Sequence, residues 1–174
     1  MDFAPVANLI KSQDWKKLSK VLEYNAHKLK GSGAGAILLA NNSLHQAISS
    51  GPSKEATSYL HIVDALGEYL ASKHITQIGL LGTVATTESG LYKAMLETKY
   101  NTDVLTLSSD ENYWMNDIIF NELCFGKVTT QTQLRALQLV DSLISQGAQA
   151  VALACTELPM LFNNQFRNST PLID

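Results

Sequence analysis

The chain has 174 residues, 45% of them hydrophobic, and a formal net charge of −3. That length allows a real core in one or two small domains, and the near-neutral balance, with no basic cluster, argues against nucleic acid as a main partner. No apolar run reaches the roughly 18 residues a membrane-spanning helix needs, and the first residues lack a charged-then-apolar signal pattern, so no membrane partner is expected.

Helix-forming sequence begins almost at once. Asp14 is placed to cap a helix from Trp15 to about Lys30, with Leu18, Val21, Leu22, Asn25 and Leu29 mostly on one face. The glycines at 31, 33 and 35 stop it, and Ile37 to Ala40 reads as a short buried strand. Asn41-Asn42-Ser43 opens another helix, and Gly51-Pro52-Ser53 marks a break and a lobe boundary. Ile62 to about Lys73 is a helix. Gln77 to Gly82 is a strand running into a glycine turn, and the hydroxyls from Thr83 to Thr87 precede a helix of about Thr87 to Tyr100. A strand at Asp103 to Leu107 is followed by helices at about Asp110 to Leu123 and Thr130 to Gln146, the latter with Leu134, Leu137, Val140 and Ile144 inward. Gly147 ends that helix. Strands alternating with amphipathic helices predict an α/β fold with a mainly parallel sheet.

The last strand carries the chemistry. The apolar run Val151-Ala152-Leu153-Ala154 ends abruptly in Cys155-Thr156-Glu157, so a thiol is delivered to the C-terminal edge of a sheet, where open α/β sheets build their sites. Such a thiol suits a base, a nucleophile or a metal ligand, and equally a small buried hydrophobe. Cys124 is the only other cysteine, and the two form neither a disulfide framework nor a CxxC pair. A reducing, cytoplasmic setting with free thiols is expected. Cys124 is expected to pack at a helix end, His27 and His74 to be solvated, and Glu88 and Glu97 to be exposed helix charges.

Gly33-Ala34-Gly35-Ala36-Ile37-Leu38-Leu39-Ala40-Asn41-Asn42 repeats, without gaps, the pattern of Gly147-Ala148-Gln149-Ala150-Val151-Ala152-Leu153-Ala154-Cys155-Thr156. Asn41 then occupies the place of Cys155, and Asn42 that of Thr156. Two unrelated buried strands can look alike by chance. A duplicated α/β unit is the sharper reading, because equivalent strand ends could then face each other across a cleft.

Gly82-Thr83-Val84-Ala85-Thr86, Glu122-Leu123-Cys124-Phe125-Gly126-Lys127 and Ala154-Cys155-Thr156-Glu157-Leu158-Pro159, with Asn42-Ser43-Leu44-His45 before them, resemble the cofactor-independent aspartate/glutamate racemase family over essentially the whole chain. The resemblance implies two pseudo-symmetric α/β lobes, mainly parallel sheets flanked by helices, with the first lobe incomplete. Residues 1–58 would be the remnant of that lobe, 59–165 the second lobe, and 166–174 the start of a segment returning to the first. It implies an amino-acid isomerase that moves an α-proton between cysteines without pyridoxal phosphate, other cofactors or metal. Cys155 matches the second-lobe acid/base. Thr83, Thr86 and Thr156 match positions that hold the substrate carboxylate or amino group. Asn42 and Ser43 match the pair after the first-lobe acid/base, and Lys127 lies near a cation for the side-chain carboxylate. Small amino-acid or dicarboxylate substrates and a homo-oligomer are the expected partners.

Two departures stand out. The first-lobe acid/base falls at Asn41, which does not titrate, so the two-thiol mechanism cannot run as usually drawn. The family pattern also has more chain before the first helix and after the last strand, so a truncated form is expected. An α-proton is a far weaker acid than a thiol of pKa about 8.5, so the site must stabilise a carbanion-like transition state. A helix starting at Cys155 would favour its thiolate, since helix N-termini lower thiol pKa values to between roughly 3.5 and 7.5; Glu157 opposes this unless it points away. His45 is read as orienting a site group or packing, and His61 as lining the lobe junction. The alternatives are a one-cysteine decarboxylase similar to arylmalonate decarboxylase, for which Asn41 is no defect, and a non-catalytic carboxylate-binding or vestigial protein.

Overall fold

The structure, a computed structural model, describes residues 3–49, 59–162 and 171–174. The break expected at residues 51–53 lies outside the described residues. The chain divides into two compact units, Met1–Ala65 and Leu66–Asp174, and the division falls inside a helix rather than at a loop.

The first unit opens with α1 (Phe3–Lys11) and α2 (Trp15–Gly31). The Asp14 carboxylate caps α2 by accepting from Lys17 N, as its position before Trp15 predicts. The buried face of α2 is Leu18, Ser19, Leu22 and Ala26, so it turns away from Leu29, which is 50% exposed rather than inward. Leu18 and Leu22 pack with Val6, Leu44 and Ala47 to form this unit's core. The strand expected through Ala40 is shorter, β1 (Ile37–Leu38). It is followed by α3 (Leu44–Ser49) and β2 (Tyr59–Leu60), which pairs with β1 in parallel, Ile37 opposite Tyr59 and Leu38 opposite Leu60. The Tyr59 hydroxyl donates to Leu22 O at 3.0 Å and ties β2 to α2. Leu38 and Leu60 are both exposed, at 73% and 55%, side by side on the pair.

The helix α4 (Ile62–Ser72) leads into the second unit. Its sheet is wholly parallel, in the order β4 (Asp103–Thr106), β3 (Gln77–Gly82), β5 (Ala150–Ala154), β6 (Leu172–Ile173). From Ile78 to Gly82 and throughout β5 every residue is buried, as expected of a parallel sheet covered on both faces. One face packs Leu81, Val151 and Leu153 against α7 (Ser109–Asn121) and α8 (Thr130–Ser145), through Met115, Ile119, Leu139 and Leu143. The inward face of α8 is Ala136, Leu139, Val140 and Leu143; Leu134, expected inward, is 56% exposed. The strand expected at the final residues is present as β6, which adds a fourth strand beside β5.

The single helix expected from Thr87 to Tyr100 is two, α5 (Val84–Thr87) and α6 (Leu91–Tyr100). Gly90, at φ +71, supplies the left-handed turn between them. Gly67 in α4 has a different reason. A Cβ there would run into the ring of Tyr100, so the bare backbone lets the last turn of α6 lie on α4. At the strand entry, the Gln149 carboxamide oxygen accepts from Thr76 N at 2.7 Å and Gln77 N at 3.1 Å, joining β5 to β3 before their ladder begins. Among the described residues, no helix is long and apolar enough to cross a membrane.

Candidate functional site

In the second unit the site starts from one register. Gly82 lies opposite Ala154, so Thr83 and Cys155 leave the sheet as the next residues of neighbouring parallel strands. This is the edge where open parallel sheets gather ligand-binding groups. A Cβ on Gly82 would stand 3.3 Å from Ala154 O, so glycine keeps the two strand ends close.

Past β3, the Thr83 and Thr86 hydroxyls are hydrogen-bonded to each other at 3.2 Å, and Thr86 is buried. Thr83 makes no side-chain cap. The first amide of α5, Val84 N, donates instead to Asn116 Oδ1 from α7 at 3.1 Å. Sequence reasoning missed Asn116, because a lone polar residue inside a helix carries no local signal of a partner in a distant turn.

Past β5, the half-buried Cys155 Sγ donates to Glu157 Oε2 at 3.0 Å, and Thr156 Oγ1 donates to the same oxygen at 2.8 Å. The helix expected to start at Cys155 is only a one-turn 3-10 segment, Leu158–Leu161. It offers no extended dipole to a thiolate. Burial first, and then the hydrogen bond to Glu157 with its charge, push the Cys155 thiol up to about 12. The expectation of a favoured thiolate is therefore reversed: at neutral pH this residue carries its proton. Glu157 moves the other way, held below the usual carboxylate range chiefly by the bond from Cys155. Cys124 is exposed, in the 3-10 turn Leu123–Phe125 rather than packed. Lys127 follows that turn, exposed, with its ammonium 6.0 Å from the Phe125 ring centroid.

In the first unit, Asn41 lies three residues past the end of β1, whereas Cys155 directly follows β5. Its side-chain Oδ1 accepts from Leu44 N at 3.1 Å, capping α3, and its carbonyl oxygen lies 3.0 Å from His45 Nδ1. Asn42 and Ser43 form the turn between, half-buried, with carbonyls that accept from His45 N and Gln46 N. The His45 ring stands edge-on to that of His61, centroids 4.7 Å apart. Among the described residues, no three His, Cys, Asp or Glu side chains cluster as metal ligands would.

The model of Asp/Glu/hydantoin racemases matches residues 1–174, end to end. The chain belongs to that family. A protein from Yersinia pestis described as a candidate Asp/Glu racemase has a solved structure that superposes with a TM-score of 0.89 at 30% identity, covering 100% of this chain and 75% of that one. An aspartate racemase homologue from Pyrococcus horikoshii OT3 superposes at 0.73 and 28% identity, over 90% of this chain and 68% of its own. An uncharacterised protein from the pnlA 3′ region of Pectobacterium carotovorum subsp. carotovorum is 26% identical over 110 residues, 63% of this chain and 71% of that protein. Within this racemase family, the α/β architecture with parallel sheets flanked by helices is the expected one, and it is the one observed.

Proposed function

We propose that this chain is an amino-acid isomerase acting on aspartate or glutamate, moving the α-proton through Cys155 without pyridoxal phosphate or metal. The observation that carries the reading is the protonated thiol held on Glu157, one residue past β5, with the Thr83–Thr86 hydroxyl pair past the neighbouring strand. Each group has a chemical task. The minor thiolate form of Cys155 takes the α-proton as the C–H electron pair delocalises into the substrate carboxylate. The new S–H returns a proton to the same face for exchange. For inversion, water protonates the opposite face and the hydroxide so formed removes the proton from sulfur. In the Thr83–Thr86 pair one hydroxyl hydrogen remains to be offered to a carboxylate. Thr156 has its hydrogen on Glu157, so its lone pairs suit the substrate ammonium. Asn42 and Ser43, with Lys127 for the side-chain carboxylate, complete the proposed binding set. Asn41 has no titrating proton, so activity is expected below that of a two-thiol enzyme by about 10²–10⁴-fold, the usual weight of one acid/base.

The test is α-proton exchange and inversion of L- and D-aspartate and L- and D-glutamate in D₂O, followed by NMR, with Cys155→Ala as control. Inversion that disappears in the control supports the reading. Inversion that survives it, or no reaction with any of the four, sinks it.

A one-cysteine decarboxylase is favoured by one observation: a thiol protonated at rest is what reprotonation after loss of CO₂ requires, and Asn41 is then a cap and nothing more. Release of CO₂ from substituted malonates would decide for it. Stabilisation by a carboxylate with no turnover would instead mark a binding protein. A cytoplasmic setting and a homo-oligomer belong to the proposal; the exposed Leu38–Leu60 pair supports association.

A further inference from the structure

The second unit starts two helices on one pattern, Thr-x-x-Thr: Thr83 and Thr86 at α5, Thr129 and Thr132 at α8. Both leading threonines are extended, at φ −71, ψ 155 and φ −101, ψ 154, and in both pairs the hydroxyls meet, at 3.2 and 2.8 Å. At α8, Thr129 Oγ1 accepts from Thr132 N at 3.1 Å and caps the helix, as its residue type predicts. Thr132 Oγ1 then donates to Glu122 Oε2 at 2.7 Å, so this copy of the pair holds a carboxylate of the chain itself. At α5 both features differ. Thr83 makes no side-chain cap, and the buried Thr86 hydroxyl meets Thr83 but bonds no carboxylate among the described residues. Thr86 N goes to the Thr83 carbonyl oxygen instead, at 2.9 Å. The side chain that holds the start of α5 is Asn116 of α7, whose Oδ1 accepts from Val84 N at 3.1 Å. One turn earlier on α7, Asn112 Nδ2 donates to Leu107 O at 3.2 Å, so two asparagines four residues apart tie this helix to the segments leaving β3 and β4.

We propose that Asn116 is a positioning residue for the carboxylate-binding pair: by holding α5 from α7 it relieves Thr83 of the cap and leaves that hydroxyl on Thr86, open to a substrate carboxylate. The inference rests on the racemase reading, in which Thr83 and Thr86 bind that carboxylate, and every residue it uses lies in the second unit. The α8 start shows the alternative. A threonine hydroxyl that accepts from the amide three residues on is committed to its own helix, as Thr129 is. Without the Asn116 oxygen, Thr83 Oγ1 has the equivalent amide, Thr86 N, at the same spacing, and takes up the cap. The start of α5 then stays formed, Val84 N turns to water, and a substrate carboxylate loses a hydroxyl held in place for it.

The experiment compares wild type, Asn116→Ala, Thr83→Val and the double variant, with whichever enantiomer of aspartate or glutamate the wild type exchanges fastest in D₂O. Asn116→Ala is expected to raise KM for exchange about tenfold, the effect of one hydrogen bond to a charged group, and to leave kcat nearly unchanged. Its urea midpoint should stay close to wild type, because Thr83 replaces the lost bond. The double variant, with neither cap, should lose more stability than the two single variants together. Asn112→Ala, which cuts the other tie of α7, is expected to lower the midpoint and leave KM alone. A lowered midpoint with unchanged KM in Asn116→Ala marks a purely structural residue and overturns the proposal. So does an Asn116→Ala chain that does not fold, since Thr83 has then failed to take up the cap, and so do additive losses in the double variant. An equal rise in KM for Asn112→Ala assigns the effect to the seating of α7 as a whole and overturns it too. A wild type inert on all four amino acids overturns the racemase reading itself, an outcome distinct from an active wild type with an indifferent Asn116→Ala.

Discussion

Cys155 and Glu157 share one hydrogen bond, Sγ to Oε2 at 3.0 Å, in which the thiol donates. This contact within one short turn adds to burial in fixing the protonation state of the group at the end of β5. Burial raises the thiol, the carboxylate raises it further, and together they keep it an acid at rest.

Removing the carboxylate should make the thiol more reactive. In a Cys124→Ser background, Glu157→Gln is expected to speed iodoacetamide alkylation of Cys155 at fixed pH by about tenfold, the effect of one pKa unit on the thiolate fraction. The thiol should still titrate above an exposed one, because burial is the larger cause. Rates by mass spectrometry check this; an unchanged rate would mean that Glu157 does not govern the proton.

Asn41 should behave as a cap. Asn41→Ala is expected to cost about 1 kcal/mol by urea unfolding, and Asn41→Asp or Asn41→Ser, which keep an accepting oxygen for Leu44 N, much less. Equal losses for all three would remove the capping role.

The first unit should weaken in acid. His45 has a folded-state pKa below its unfolded value of about 6.5, so below that pH the unfolded chain binds the extra proton. The stabilisation is complete above about pH 6.5 and is lost as pH falls toward the folded-state value. Urea midpoints read by Trp15 fluorescence in a Trp114→Phe background should drop between pH 7.5 and 5, and His45→Gln should flatten that drop.

A side chain at Gly67 should be resisted by Tyr100. Alanine normally gains about 1 kcal/mol over glycine inside a helix, but a Cβ here collides with a packed ring, and overpacking costs about 1–3 kcal/mol. Gly67→Ala is expected to destabilise, and Tyr100→Leu in the same chain to recover part of the loss. Additive effects in the double-mutant cycle would show that the ring is not the obstacle.

The exposed Leu38–Leu60 pair should drive association. Leu60→Lys is expected to shift the chain toward smaller species in sedimentation velocity without lowering its unfolding midpoint, because that side chain buries little. No shift would leave the pair without an occupant.

Much of this architecture was legible from residue patterns. The strand Gln77–Gly82, the cysteine strand, the Asp14 cap and the limits of α4 and α8 follow from periodicity and end signals. What was not legible depends on tertiary placement. Along α8, leucines at 134, 137, 139 and 143 offer more than one apolar stripe, and only the seat of the helix on β3 and β5 selects the one through Leu139 and Leu143. The α5–α6 break needed the turn at Gly90, where Ser89 Oγ donates to Thr86 O. The positions of Cys155, Thr83 and Thr86 at strand ends were readable. The proton on Cys155 was not, because it depends first on how far the fold buries the sulfur and then on which way Glu157 points, and neither was the bond from His45 Nδ1 to the Asn41 backbone.

The strand order has a consequence for how the second unit is made. β3 is central, yet one of its neighbours, β5, is distant in sequence: Gln77 N and Gln149 Oε1, which meet at the strand entry, are 72 residues apart. A nascent chain can pair β3 with β4 early, but it must then wait through α7 and α8 with one edge of β3 unpaired and Leu81 uncovered. Long-range parallel pairing is slow for this reason, and an open apolar edge invites other chains while it lasts. Yield on synthesis should therefore track how quickly residues 149–154 arrive and how well the waiting edge is shielded, and the Gln149 carboxamide, gripping Thr76 and Gln77 amides ahead of the ladder, is placed to shorten that wait.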